Sequence, residues 1–429
     1  MLKSRKPLLV ASVALACLLT ATGCGGGETA AGTAEDPVEL RFAWWGNDQR
    51  VQETLAVIEA FEAENPGIKV RGEYSDFGSY WDRLATQVAG GDAPDIFAMS
   101  GSYPSEYASR GALLDLAEVE AEIDTSKFAE GTVELGQIDG VQYTVTAGVN
   151  AMSMVVDPGV FEEAGVDIPD DETWTWDEYV KLSAEISDNS PQGTYGTTPM
   201  TNDSFLMVWA RQHGETLYSE DGSEVAISTD TLTDWFDMNQ DLMDNRGAPP
   251  AAESVEDIAA SPEQTLMGQG KQGMKISWSN QMNAYSGSSL EILKLPGEAE
   301  ASGSWLRSSQ EYAISSASEY PAETATFLNY LVNSPDAAEI IRTDRGMQAN
   351  LDVREGVLPL LDESDAKEAT YLDRIAAMDV QPPTALPPGS SGSLEVLDRQ
   401  LFEVLFDQTT AEEAALAFIA EVNANLASQ

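Results

Sequence analysis

The sequence predicts an α/β protein of two domains, and three observations carry that expectation. Val38 to Trp45 alternates toward a strand, Gln52 to Glu64 sets Leu55, Ile58 and Phe61 at helical spacing, and Ile68 to Tyr74 reads as the next strand. Such a strand-helix-strand start favours a mostly parallel sheet with helices on its faces. A chain of 429 residues also exceeds the size at which a single core keeps growing, so two domains are expected.

The first helix stops at Asn65-Pro66-Gly67, where proline and glycine cannot continue it. A second helix is expected from Tyr80 to Ala89, followed by the turn Gly90-Gly91-Asp92-Ala93-Pro94, a short buried strand Asp95 to Met99, and a helix from Tyr103 to Gly111. Ala151 to Val156 reads as a strand and Asp157 to Ala164 as a short helix. Thr175-Trp176-Asp177-Glu178 has the character of a capping box opening the next helix. Helical spacing recurs at Phe205 to His213, Thr231 to Asn245, Glu263 to Gly268, Glu323 to Asn333, Pro335 to Thr343 and Ala411 to Leu426. The Pro-rich stretch Gln381 to Gly389 is the strongest interior loop. The helical residues after it are too few for a separate domain, which makes it a loop within one.

The composition narrows the function. There are 72 Asp and Glu against 23 Lys and Arg, a formal charge of −49 that becomes −52 without Lys3, Arg5 and Lys6. Nucleic acid and anionic lipid surfaces repel such a chain, so no nucleic-acid partner is expected. The acids are spread along the sequence rather than massed in one tail, as on a solvated acidic surface suited to a salty exterior.

The amino terminus resembles a bacterial lipoprotein signal. Lys3, Arg5 and Lys6 precede an apolar run from Pro7 to Leu19, then small residues lead to Cys24 and three glycines. The resemblance implies removal of residues 1–23, lipid on Cys24 and a flexible tether over 24–36, rich in Gly, Ala, Thr and acids. The alternative is an ordinary cleaved signal in which Cys24 is incidental. Cys17 lies inside the apolar run, so after cleavage no intramolecular disulfide is possible. With 42% hydrophobic residues and no further apolar run of about twenty residues, the remainder reads as a soluble globular body.

Several segments, in order, resemble the extracellular solute-binding proteins that feed sugar ABC importers, the group of maltose-binding protein. They are Phe42-Ala43-Trp44-Trp45-Gly46, Phe61 to Val70 with its Asn65-Pro66-Gly67 centre, Gly91-Asp92-Ala93-Pro94-Asp95-Ile96-Phe97 and Phe161-Glu162-Glu163-Ala164-Gly165-Val166. They continue with Thr175 to Tyr179, Gly268 to Met274 and the helix Ala322 to Asn333. The resemblance implies a two-lobed fold of the periplasmic-binding-protein type, each lobe built on a mixed sheet, with a ligand cleft between lobes. Lobe 1 would comprise 37–148 plus 311–351, and lobe 2 would comprise 149–310 plus 352–429. The three crossings would fall near Thr146 to Asn150, Arg307 to Tyr312 and Asn350 to Val353. It further implies a monomer whose partners are a carbohydrate, permease subunits of an importer, and the membrane through the lipid.

A saccharide offers flat C–H faces and a rim of hydroxyls, so its site needs aromatic plates with amides and acids around them. Trp45, Asn47 and Asp48 follow the first strand at its carboxyl end, where open α/β sheets bind ligands. Strand neighbours face opposite ways, so one of Trp44 and Trp45 lines the cleft; Trp45 is favoured. Ser100, Ser102 and Tyr103 occupy the corresponding loop of the next unit, although Ser102 could instead cap a helix. Asn150 ends a crossing. Asp203 matches a family loop that reaches the ligand or else caps a helix, and Trp278, with Asn280 beyond it, matches a sugar-stacking aromatic. Trp305 and Arg307 approach the second crossing, with Arg307 alternatively an interlobe ion-pair partner. Gln348 sits in a turn that would face the cleft. Trp174, Trp176, Trp209 and Trp235 lie on helical patterns and are assigned to the core.

Catalysis and metal binding have little support. His213 is the only histidine, which excludes a multi-His metal site, and no phosphate-binding or dinucleotide fingerprint occurs. No cofactor is expected, and the chain reads as a binding protein rather than an enzyme. The alternatives are a receptor for a non-sugar solute such as a polyol phosphate, and a secreted glycosidase using a pair of the many carboxylates.

Overall fold

The computed structural model describes residues 32–285, 289–378 and 382–428. The expected signal, Cys24 and Gln381 lie outside the described residues. Residues 32–36, expected as the end of the tether, instead form a tight turn in which Thr33 and Asp36 exchange two backbone hydrogen bonds of 3.0 Å.

Eleven strands are described: β1 (Val38–Trp45), β2 (Ile68–Ser75), β3 (Ile96–Met99), β4 (Gln137–Ile138), β5 (Val141–Gln142), β6 (Thr144–Asn150), β7 (Met152–Val156), β8 (Met274–Trp278), β9 (Glu291–Leu293), β10 (Arg307–Ile314) and β11 (Met347–Gln348). Six form a sheet in the order β11-β6-β10-β3-β1-β2, three a second sheet in the order β8-β7-β9, and β4 and β5 pair as a hairpin. The large sheet is mixed, contrary to the mostly parallel sheet expected from its start. β1 pairs in parallel with β2 and β3, but β10 runs antiparallel to both β3 and β6, and β11 antiparallel to β6. The parallel part is the piece built by successive strand-helix crossovers. β10 enters from the distant small sheet and fills the slot between β3 and β6 in the opposite direction.

Each sheet has its own core. Leu40, Phe42, Phe61, Phe97 and Phe327 gather around the large sheet, where the helix Asp48–Glu64 contributes Val57, Ile58 and Phe61 from one face. Met154, Phe161, Tyr179, Phe205, Trp235, Leu397 and Phe418 gather on one side of the small sheet. Ala151, Val155, Ile292, Tyr371 and Leu372 fill its other side. Each such fully buried aromatic or aliphatic side chain contributes about 1.5–3 kcal/mol relative to exposure. The helices Ser393–Leu405 and Ala411–Leu426 therefore belong to the small-sheet core rather than to a further domain, as expected for the segment after the Pro-rich loop.

The chain passes from the large sheet to the small one between β6 and β7 and returns before β10. The third passage falls later than Asn350 to Val353. Asn350 caps the helix Leu351–Val357, and Val353 and Val357, one turn apart, pack on Ala338 beside the large sheet. Only the helix Glu363–Ala376 reaches the small sheet, where the Tyr371 hydroxyl donates to the Met152 carbonyl.

Helix boundaries follow their caps. The first two helices begin at Asp48 and Phe77, earlier than the apolar spacing indicates, because Asn47 and Asp76 accept backbone N–H groups from the first turn. The Thr175 capping box forms in full with Glu178. The helix expected over Glu263 to Gly268 is absent. Only a 3-10 turn at Pro262–Gln264 forms there, and Gly270 then takes a left-handed conformation at φ +66°. Four helices were not expected: Ala251–Ala259, Leu351–Val357, Glu363–Ala376 and Ser393–Leu405.

Candidate binding cleft

A cleft of about 450 Å³ lies where the carboxyl ends of β1, β3, β6 and β8 meet the start of β10. At β1 the alternation separates two adjacent indoles. Trp44 is fully buried against Gly72, whose position admits no side chain, since a Cβ there would come within 2.6 Å of the ring. Trp45 turns the other way and lines the cleft.

Beside Trp45, the helix Phe77–Ala89 places Phe77 and Trp81 one turn apart, with ring centroids 5.5 Å from Trp45 in each case. Trp81 lies flat against Tyr103, with centroids 3.5 Å apart and an interplanar angle of 6°. The result is a continuous aromatic wall in which Phe77, 53% exposed, is the open edge. Ser100, Gly101 and Ser102 complete this side. Ser102 makes no side-chain cap to the backbone; its hydroxyl donates to Glu106 at 3.3 Å.

The opposite side comes from the small-sheet half. Trp278 ends β8, and Asn280 follows it on a 3-10 turn. Asn150, at the end of β6, donates through Nδ2 to Asn280 Oδ1 at 3.2 Å, while its own Oδ1 is buried with no partner among the described residues. Asn202, held at φ 106°, caps the helix Asp203–Gln212 by accepting from the Ser204 and Phe205 amides. Asp203 is therefore not the cap. It is the first helical residue, and it faces the cleft.

Arg307 organises the centre. Its guanidinium lies 4.8 Å from the Trp278 ring centroid, and Nη1 donates to Ser204 Oγ at 2.9 Å. Burial lowers its pKa, opposed by the charges of Asp203 and Glu311. Burial likewise raises Asp203 against the pull of Arg307, and raises Glu311 to about 7 despite a 2.6 Å hydrogen bond donated by Thr144. Asp398 is pushed up to about 6 by burial and by Asp203. The one cleft cation is thus more than matched by carboxylates, and no ion pair within 4.0 Å is formed by Arg307 among the described residues. Such a centre suits a ligand rich in hydroxyls that can both accept from the guanidinium and donate to carboxylates.

Nine of the thirteen candidates line this cleft: Trp45, Ser100, Ser102, Tyr103, Asn150, Asp203, Trp278, Asn280 and Arg307. Four do not. Asn47 spends its side chain on the Arg50 amide at 2.9 Å, and Asp48 is exposed on the same first turn, because the loop expected there is a helix start. Gln348 is buried on the edge strand β11, donating to the Arg342 carbonyl. Trp305 lines a small adjoining cavity of about 100 Å³ that also touches Arg307.

Sequence reasoning missed Phe77, Asn202, Ser204, Gln281, Leu386, Ser390, Ser391 and Leu394. Phe77 carries a signal, an aromatic directly after the Asp76 cap. Leu386 and Ser390 to Leu394 carry none, since they reach the cleft from far along the chain. Among the described residues no group of three or more His, Cys, Asp or Glu could hold a metal ion. His213 donates through Nδ1 to the Trp209 carbonyl, 2.8 Å away, as a helix-end residue. No helix among the described residues is long and apolar enough to cross a membrane.

Residues 47–338 match the family described as bacterial extracellular solute-binding protein. A binding protein of Brucella abortus is 25% identical over 226 residues, 52% of this chain and 53% of that protein. An arabinooligosaccharide-binding protein of Halalkalibacterium halodurans is 30% identical over 195 residues, 44% of this chain and 42% of that protein. The chain thus spans about half the length of the curated relatives it matches. Among solved structures, a periplasmic oligogalacturonide-binding protein of Yersinia enterocolitica in complex with saturated digalacturonic acid superposes with a TM-score of 0.77. It shares 20% identity, covering 91% of this chain and 99% of that one, and the shared feature is the two-domain fold.

Proposed function

Because the chain belongs to the bacterial extracellular solute-binding protein family, we propose that it is a receptor that closes on a carbohydrate and delivers it to the permease subunits of an ABC importer. The observation that carries this reading is the cleft itself. An aromatic wall of Trp45, Phe77 and Tyr103 faces Trp278 across a rim of amides and hydroxyls. Plates for C–H faces and in-plane donors and acceptors for hydroxyls are what a sugar requires. A polyol phosphate is disfavoured, since Arg307 is the one cation among the residues lining the cleft and the charges of Asp203 and Glu311 already act on it. Relatives and neighbours named for binding an arabinooligosaccharide and a digalacturonide support the same class.

In this reading the lobes are 37–148 with 311–357, and 149–310 with the remainder, the boundary being moved past the helix that ends at Val357. Hinge closure traps the ligand, and the closed form is what the importer reads. The body works as a monomer held at the extracellular face of the membrane by lipid on Cys24 after removal of residues 1–23. Replacing Cys24 by Ser should release the protein from membranes with binding intact.

Thermal-shift screening against saccharides tests the function, since a ligand that binds only the folded state stabilises it with the logarithm of its excess over Kd. A rise in melting temperature with one sugar class and none with sugar phosphates is expected. Stabilisation by phosphates alone, or steady turnover of a saccharide, would replace the reading.

A further inference from the structure

The cleft does not end at Arg307. Gly101, Ser204, Arg307, Ser308 and Leu386 line both the cleft and the cavity of about 100 Å³ beside it. Met207 and Pro382 to Ala385 then line both that small cavity and a third hollow of about 650 Å³. The three form a row: cleft, neck, outer hollow.

The neck is flanked by two equivalent pairs. On the cleft side Arg307 covers Trp278 at 4.8 Å, and on the hollow side Arg211 covers Trp305 at 5.1 Å. In each, the indole face holds a planar guanidinium beside the row. Pro382 and Pro383 roof the passage. Lacking N–H groups and fixed in φ, they offer ring faces and a stiff strap rather than competing donors. The hollow beyond mixes apolar and polar walls, Met207 and Leu217 with Thr216, Ser302 and Thr384. Each of the two larger spaces alone falls in the range of about 300–1,000 Å³ typical of a complete small-molecule site.

We infer that the outer hollow is a second subsite of the same binding site, joined to the cleft through the Trp305 and Arg307 neck, and that the ligand is a linear oligosaccharide spanning both. This rests on the carbohydrate reading above. A mono- or disaccharide would leave the hollow empty, whereas a longer chain would fill both spaces.

Calorimetric titration with length series of arabino-, xylo-, malto-, chito- and galacturono-oligosaccharides, from one to six units, tests the inference on the full folded protein. It is repeated on Ser302→Trp and Thr384→Trp, two exposed positions on the hollow's walls whose enlargement leaves the core untouched. Within the binding series, affinity should rise with length beyond two units. Both variants should erase that rise, lowering affinity for the longest member by at least about tenfold while short members bind as before. Affinity that stops rising at two units, or variants that bind every length like the parent protein, would overturn the second subsite and leave the carbohydrate function standing. No binding by any series would overturn the function together with the inference.

Discussion

Arg307 lies over the face of Trp278 with its guanidinium carbon 4.8 Å from the ring centroid, and the same guanidinium reaches across to Ser204 at 2.9 Å. One residue of the large sheet thereby touches two contributions from the small-sheet half. Arg307→Ala should remove both the ring's partner and a central donor. The expected result is a loss of ligand affinity of about tenfold or more with little change in melting temperature, as measured by calorimetry and thermal unfolding. Arg307→Lys should not restore it, because a point charge cannot lie flat on the indole and donate sideways.

The Trp81 and Tyr103 stack, 3.5 Å apart, backs the aromatic wall. Trp81 itself does not line the cleft, so Trp81→Leu should act through Tyr103 and Trp45 by letting both rings move. Weaker binding accompanied by altered Trp fluorescence on ligand addition is expected, and unchanged binding would show that the wall holds itself.

Gly72 faces the buried ring of Trp44. Gly72→Ala puts a methyl within 2.6 Å of that ring, so overpacking should destabilise the fold by about 1–3 kcal/mol. A melting temperature equal to that of the parent protein would contradict the packing described.

Glu368 is fully buried next to the cleft-bearing turn, accepting from Ser279 Oγ at 2.9 Å. Burial raises its pKa to about 8, with Asp365 adding to the shift and Arg354 opposing it. The folded state therefore holds a proton that the unfolded state releases from about pH 4.5 upward. Stability from this group is fully present below that pH, falls as pH rises toward 8, and is level beyond. Glu311 and Asp398 add slopes of the same sign at lower pH. Glu368→Gln, which keeps the acceptor for Ser279, should flatten the decline of melting temperature between about pH 5 and 8.

Moderate salt should raise the melting temperature by screening the self-repulsion of a chain with a formal charge of −49. A flat or falling response from low to moderate salt would mean that the acids are already neutralised locally by the ion pairs.

Much of the fold is legible in the sequence because its signals are local. The spacing of Ile58 and Phe61, the Thr175 capping box and the alternation of Trp44 and Trp45 each specify their own surroundings, whereas Leu55, read as part of the same apolar face, stays 37% exposed. The direction of β10 is not local, since nothing in Arg307 to Ile314 records that it will fill a gap between β3 and β6. The cleft divides in the same way. Trp45, Tyr103 and Trp278 stand at strand ends and can be placed from pattern. Leu394, and Ser390 and Ser391 on the turn before its helix, reach the cleft only because that helix packs on the core around Phe205. Asn47 and Asp48 mislead because the end of a strand is also the start of a helix, where the Asn47 side-chain oxygen turns to the backbone and Asp48 is exposed on the first turn.

The central claim is that a carbohydrate is held between the aromatic wall and Trp278. Calorimetric titration of the parent protein and of Trp278→Ala with the saccharide that gives the largest thermal shift tests it most directly. Saturable binding by the parent protein, weakened by at least about tenfold in the variant at unchanged melting temperature, is the predicted result. Equal affinity in the two proteins would contradict the claim.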